Sequence, residues 1–184
     1  MDTPPPPRRP LVVVDTETNG LDPSVHQVVE AAWWNLGTGD RGCVVPHHDV
    51  NAVLGAASLR ALQVNNYVDK IADRVPPRAL DQTGTLYAAL SGAMLIGSNV
   101  QFDAAMLRRL FADHAERTPW HYRLWEIGPY AAGVLGLDHI PGLAELAELL
   151  GVTPGDHSAA GDVTTTGECF LELRTRATAR KVVA

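Results

Sequence analysis

Hydrophobic positions change period several times along this chain. Leu11 to Val14 is a short β-branched run between Pro10 and the turn-forming pair Asn19-Gly20, which predicts a buried strand. Gln27 to Leu36 and Arg41 to Pro46 are two further apolar runs, separated by a Gly-Thr-Gly-Asp turn, so the first three strands should form an antiparallel meander. Within the second, Trp33 and Trp34 must place one ring on each face of the sheet, and Glu30 reads as a structural acid or one that supports a neighbouring site. Asn51 to Val75 gives only short, broken helical patterns and is expected to be rich in loops. Arg78 to Leu90 carries Leu80, Leu86, Tyr87 and Leu90 at helical spacing, with Pro76-Pro77 as a start signal and Ser91-Gly92 as a stop.

Ala93 to Gly97 reads as a fourth strand, and the helix before it implies a crossover and parallel pairing. A second amphipathic helix is predicted over Phe102 to His114, with Phe102, Met106, Leu107 and Leu110 inward and Arg108-Arg109 outward. Tyr122 to Ile127 is the candidate fifth strand. Helices are expected over Tyr130 to Leu135, Leu143 to Leu150 (ending at Gly151) and Val163 to Thr178. There is no internal repeat, and the sum is an α/β domain with a mixed five-stranded sheet covered by helices.

Composition narrows this to one globular unit. At 184 residues and 46% hydrophobic content the chain can bury a real core. Residues 1–9 are expected to form a Pro-rich arm, extended at Pro4 to Pro7, followed by a single domain over 10–178 and a basic tail over 179–184. No apolar run approaches a membrane span, and the first residues lack the apolar core of a secretory signal, so the expected location is cytoplasmic. Cys43 and Cys169 match no metal or redox spacing, and His47-His48 reads as surface loop. The net charge of -6 argues against a protein that coats nucleic acid by global electrostatics, although a metal-filled acidic site would reverse the sign locally.

That reversal matters because of Asp15 and Glu17. Two residues apart on a strand they share a face, and both would resist ionising unless a cation sat between them. Carboxylate oxygens in this arrangement suit Mg²⁺ or Mn²⁺. The other readings are a pair of solvated loop acids and the nucleophile pair of a haloacid-dehalogenase phosphatase, which the Glu fits poorly. Two more acids occupy element starts: Asp103, in the first turn after the fourth strand, and Asp162, at the start of the last helix. His157 precedes Asp162 by five residues, which on a continuous helix would turn the side chains about 140° apart, so it must come from the preceding loop to serve the same site. Gly161 hints at close approach of another group.

Asp15-x-Glu17 after a first strand, Asn99-x-x-Phe102-Asp103 after a middle strand and His157-x-x-x-x-Asp162 at the last helix resemble, in order and spacing, the DnaQ-like proofreading exonucleases of the DEDD superfamily, histidine subtype. The resemblance spans about Leu11 to Leu173, with Ser98 standing where many members have His. It implies an RNase H-like fold and a 3′-to-5′ exonuclease that releases nucleoside 5′-monophosphates using two divalent cations, Mg²⁺ or Mn²⁺. Asp15, Glu17 and Asp162 would hold one ion, Asp15 with Asp103 the other, and His157 would act as general base. Thr16, Gly20, Leu21, Asn99 and Phe102 would hold the terminal nucleotide. The implied substrate is a single-stranded DNA 3′ end, with RNA as the alternative in the manner of oligoribonuclease or ribonuclease T. A polymerase or replication partner, or a binding subunit that keeps the fold without hydrolysis, stands as the remote alternative.

Overall fold

The structure is a computed structural model that describes residues 9–112 and 117–183, with side chains to residue 179. Its centre is a mixed five-stranded sheet in the order β3-β2-β1-β4-β5. Strand β1 (Leu11–Thr18) pairs antiparallel with β2 (Val28–Asn35), which pairs antiparallel with β3 (Arg41–Val44), giving the expected meander. On the other side β1 pairs parallel with β4 (Met94–Gly97), and β4 with the two-residue β5 (Trp125–Glu126). The fifth strand is thus much shorter than Tyr122 to Ile127.

Helices α1 (Val50–Ala56), α2 (Leu59–Val64), α3 (Tyr67–Lys70) and a 3₁₀ turn at Ala72–Arg74 replace the loops expected over Asn51 to Val75. Each is too short to be stable by propensity. They form because Val53, Tyr67 and Ile71 close a small separate core against Val29 and Val45, which no local period announces. The same packing buries His48, whose Nε2 lies 2.8 Å from the Tyr67 hydroxyl, so only His47 is the surface residue expected of both.

The helix expected over Arg78 to Leu90 is cut to a 3₁₀ turn at Arg78–Leu80 and α4 (Thr83–Ala89). Between them the Asp81 carboxylate accepts from Thr83 N at 3.2 Å, Thr83 Oγ1 at 2.8 Å and His47 N at 3.1 Å, a local alternative to the helical ladder. Leu80 consequently lies exposed rather than inward. Helix α5 (Val100–Phe111) begins two residues earlier than expected, and the predicted end at His114 lies outside the described residues. Met106 and Leu107 are fully buried, whereas Phe102 and Leu110 are only partly covered. Helix α6 (Ile127–Leu135) starts three residues before Tyr130, α7 (Leu143–Leu150) has the expected bounds, and α8 (Ala159–Val183) extends beyond both ends of Val163 to Thr178.

Strand parity sorts these helices into two layers. Val12 and Val14 point into a core with α4 and α5, together with Trp33. Val13 points into the opposite core with α6, α7 and α8, together with Trp34 and Phe170. One tryptophan therefore serves each face, as their adjacency requires. Phe170 meets Trp125 edge-on at 5.0 Å and lies 5.7 Å from Tyr130, so it ties α8 to β5 and α6.

Candidate active site

The same parity decides where the acids go. Asp15 and Glu17 continue the Val13 face, under α8, while Thr16 continues the Val14 face, under α5. Both acids lie inside β1 rather than beyond its end, opposite Ala32 and Glu30 on β2. Asp162 reaches them from the first turn of α8, and ligand oxygens of Asp15, Glu17 and Asp162 all lie within 4.8 Å of one another.

Burial and mutual repulsion act together on this trio. Asp15 is held far above the usual carboxylate range, first by burial and then by the charges of Asp103, Asp162, Glu17 and Glu30. Glu17 is pushed up to about 7 by burial, with Asp162 and Glu30 adding to it and Asn65 partly offsetting it. Asp162 is raised by burial and pulled back by His157. Carboxylates so placed favour either protons or a cation, and an all-oxygen donor set fits a hard divalent ion.

Asp103 stands outside the trio, on the α5 side of β1. Its Oδ1 accepts from Thr16 N at 2.9 Å and Thr16 Oγ1 at 2.7 Å. Burial nevertheless pushes it up to about 7 against these hydrogen bonds. It faces the backbone between Asp15 and Glu17.

Side chains outside the four acids hold this arrangement, Glu30 among them, as its reading as a structural or supporting acid anticipates. Glu30, buried on β2, receives Arg74 Nη1 on one oxygen at 2.6 Å and Ala159 N on the other at 3.1 Å, which fixes the start of α8 one turn before Asp162. Ser158 completes that start, its Oγ accepting from Gly161 N at 3.1 Å. A β-carbon at Gly161 would overlap the Asp156 carboxylate, and one at Gly155 would overlap that of Asp162, which accounts for the close approach that Gly161 suggests. His157 lies in the loop before α8, exposed, in a left-handed conformation at φ 57°.

Glu126 does for α5 what Glu30 does for α8. Its two oxygens accept from Asn99 N at 2.9 Å and Val100 N at 3.0 Å, satisfying amides that open the helix. Asn99 itself is left-handed at φ 63° and its side chain makes no cap. Replacing Glu126 by Ala should cost about 1–2 kcal/mol of stability and loosen Asp103, read as a lower urea midpoint at unchanged slope.

Next to Glu17 a cleft of about 240 Å³ opens between β1 and α2, and Thr16, Leu21 and Phe102 line it together with Arg60, Val64 and Asn65. Leu21 is 78% exposed, an apolar side chain presented to solvent at the cleft edge. Gly20 and Asn99 are not among the lining residues. Gly20 is packed so closely on the His26 ring that a β-carbon would overlap it. The cleft wall is hung from β1 by Asn19, whose Nδ2 donates to Val53 O at 3.0 Å, and by Asn65, whose Nδ2 donates to Thr18 O at 3.0 Å. Among the described residues Asn65 Oδ1 is the buried side-chain polar atom that lacks a partner. Partners 34 and 47 residues apart leave no local signal, which is why Asn65 escapes a sequence reading.

No family model matches the sequence, and no curated protein sequence matches it. Solved structures do. A product-bound exonuclease I superposes with a TM-score of 0.70 at 15% identity over 94% of this chain and 45% of that chain. E. coli exonuclease I in complex with a dT13 oligonucleotide gives 0.69 at 15% identity, over 96% and 43% of the two chains. A moderately thermophilic exonuclease I from Methylocaldum szegediense gives 0.67 at 20% identity, over 92% and 41%. This chain spans less than half the length of each. It has the RNase H-like exonuclease fold that these proteins share, with Asp15, Glu17 and Asp162 gathered at one end of its central strand.

Proposed function

We propose that this protein is a metal-dependent 3′-to-5′ exonuclease that releases nucleoside 5′-monophosphates from single-stranded DNA ends. The observation that carries the reading is the trio of Asp15, Glu17 and Asp162 beside a cleft of nucleotide size, in a fold otherwise seen in exonuclease I. Asp15, Glu17 and Asp162 would hold one divalent cation, and Asp15 with Asp103 a second; Mg²⁺ and Mn²⁺ suit the oxygen donors. Two such ions, when bound, stabilise the attacking and leaving oxygens of an in-line displacement.

The chain's own residues supply the rest. Leu21 and Phe102 give apolar surface on which a terminal base of any identity can stack. Thr16 holds the Asp103 carboxylate so that it stays aimed at the strand. His157, in the loop beside Asp162, takes a proton from the attacking water, a task that an imidazole nitrogen can perform. Water oxygen bonds to phosphorus as the phosphorus to O3′ bond breaks, and the departing O3′ takes up a proton.

The test uses matched DNA and RNA oligonucleotides labelled at the 5′ end, with Mg²⁺ or Mn²⁺ and with chelator, beside an Asp162→Asn variant. The expected result is a metal-dependent ladder that shortens from the 3′ end, is absent in the variant and runs faster on DNA. A faster ladder on RNA would reassign the substrate. No ladder on either polymer from folded protein would defeat the enzymatic reading in favour of a binding subunit.

A further inference from the structure

The cleft accounts for one nucleotide, yet the molecule has a second and larger cavity nearby. It measures about 550 Å³ and is lined by Arg78, Arg109, His47, Asp81, Gln27 and Leu110. Arg109 follows Phe102 by seven residues on α5, so it lies two turns along, about 10.5 Å away, and within about 20° of the same face. Phe102 lines the cleft and Arg109 lines the cavity, so one face of α5 joins the two. The 20–27 loop runs beside both: Leu21 edges the cleft, Gln27 edges the cavity, and the Arg109 charge reaches Asp22 between them.

Two guanidiniums, Arg78 and Arg109, line this cavity. Among the described residues neither Arg78 nor Arg109 forms an ion pair. Asp81, the acid in the same wall, is turned to His47 N and Thr83. Both guanidiniums thus face one cavity beside the Asp81 carboxylate, and Asp22 acts on Arg109 from outside it. Guanidinium groups suit phosphate oxygens, which they can bind in pairs.

We propose that this cavity binds backbone phosphates upstream of the 3′-terminal nucleotide, so that a strand held at its end by Leu21 and Phe102 runs along α5 to Arg109 and Arg78. The inference rests on the exonuclease reading of the cleft and adds where the rest of the strand is held and by which side chains. Phosphate contacts of this kind carry no base information, which agrees with stacking on Leu21 and Phe102.

The test compares wild type with Arg78→Ala, Arg109→Ala and the double variant on two substrates: a single-stranded oligonucleotide and the p-nitrophenyl ester of thymidine 5′-monophosphate, which has no upstream phosphate. Oligonucleotide binding is followed in parallel by fluorescence anisotropy over a salt series. Each substitution should weaken oligonucleotide binding roughly three- to tenfold and lower the salt slope by about one. The preference in kcat/KM for oligonucleotide over the small ester should fall by a similar factor, with Arg109→Lys restoring part of it. Ester hydrolysis with an unaltered oligonucleotide preference and salt slope in the double variant would overturn the groove and leave the cleft reading intact. If wild type hydrolyses neither substrate, the exonuclease reading fails, and the anisotropy series still decides the groove: weaker binding in the double variant supports it, equal binding overturns it.

Discussion

Asp15→Asn should abolish metal-dependent hydrolysis, by on the order of a thousandfold or more in kcat, while making the metal-free protein more stable at pH 8. Both effects come from one position. Asp15 is the acid at the centre of the cluster, half-buried in β1 and facing the charges of Asp103, Asp162, Glu17 and Glu30. It is also the residue common to both proposed ion sites. The carboxamide keeps the shape of the side chain and its place opposite Ala32, so the strand pairing has no reason to change. What is lost is the charge that would hold a cation; what is relieved is an ionised group in a half-buried, repulsive setting, a gain of roughly 1–2 kcal/mol. Oligonucleotide hydrolysis and thermal melts in chelator measure the two halves separately. Wild-type rates would remove Asp15 from the mechanism, and a lower melting temperature at pH 8 would mean that its carboxylate is already paired in the metal-free protein.

The parts of this fold that were legible in the sequence are those set by short-range patterns. Apolar runs with turn signals located the meander, the crossover rule gave β4 a parallel pairing though not its partner β1, and LAELAELL followed by Gly151 marked both ends of α7. Parity alone puts Asp15 and Glu17 on one face, and the offset between His157 and Asp162 requires the loop position that His157 occupies. What escaped depends on distant partners. Helices α1 to α3 exist because Tyr67, Ile71 and Val53 find Val29 and Val45, not because their sequences favour helix. Glu126 caps a helix 26 residues away and Asn65 fastens α2 to Thr18, while for Glu30 the supporting role was legible but not its partner Ala159 N, 129 residues on. The lost first turns of the Arg78 to Leu90 pattern have a local cause, the Asp81 side chain, which competes with the helix it interrupts.

Without divalent ions the protein should become less stable as pH rises from 5 to 8, and Mg²⁺ or Mn²⁺ should reverse the trend. Glu17 and Asp103 are each pushed up to about 7, chiefly by burial, from ordinary values of 4.5 and 3.8. Asp15 and Asp162 are raised as well, again first by burial. Between the unfolded and folded values the native state binds more protons than the unfolded chain. Stability therefore falls with increasing pH, from about pH 4 until pH exceeds 7. The groups are coupled and partly open to solvent, so the combined effect is on the order of a few kcal/mol rather than the sum of separate shifts. In a domain of this size each kcal/mol moves the melting temperature by about 2–4 °C. A cation that binds only the ionised cluster adds stability by mass action, and it must displace protons below pH 7 but not above. The increment in melting temperature on adding Mg²⁺ should accordingly be several degrees larger at pH 8 than at pH 5, and Asp162→Asn should shrink it. Melts in chelator that rise steadily to pH 8 would contradict the burial assigned to these carboxylates. An ion increment independent of pH would place the bound cation away from them.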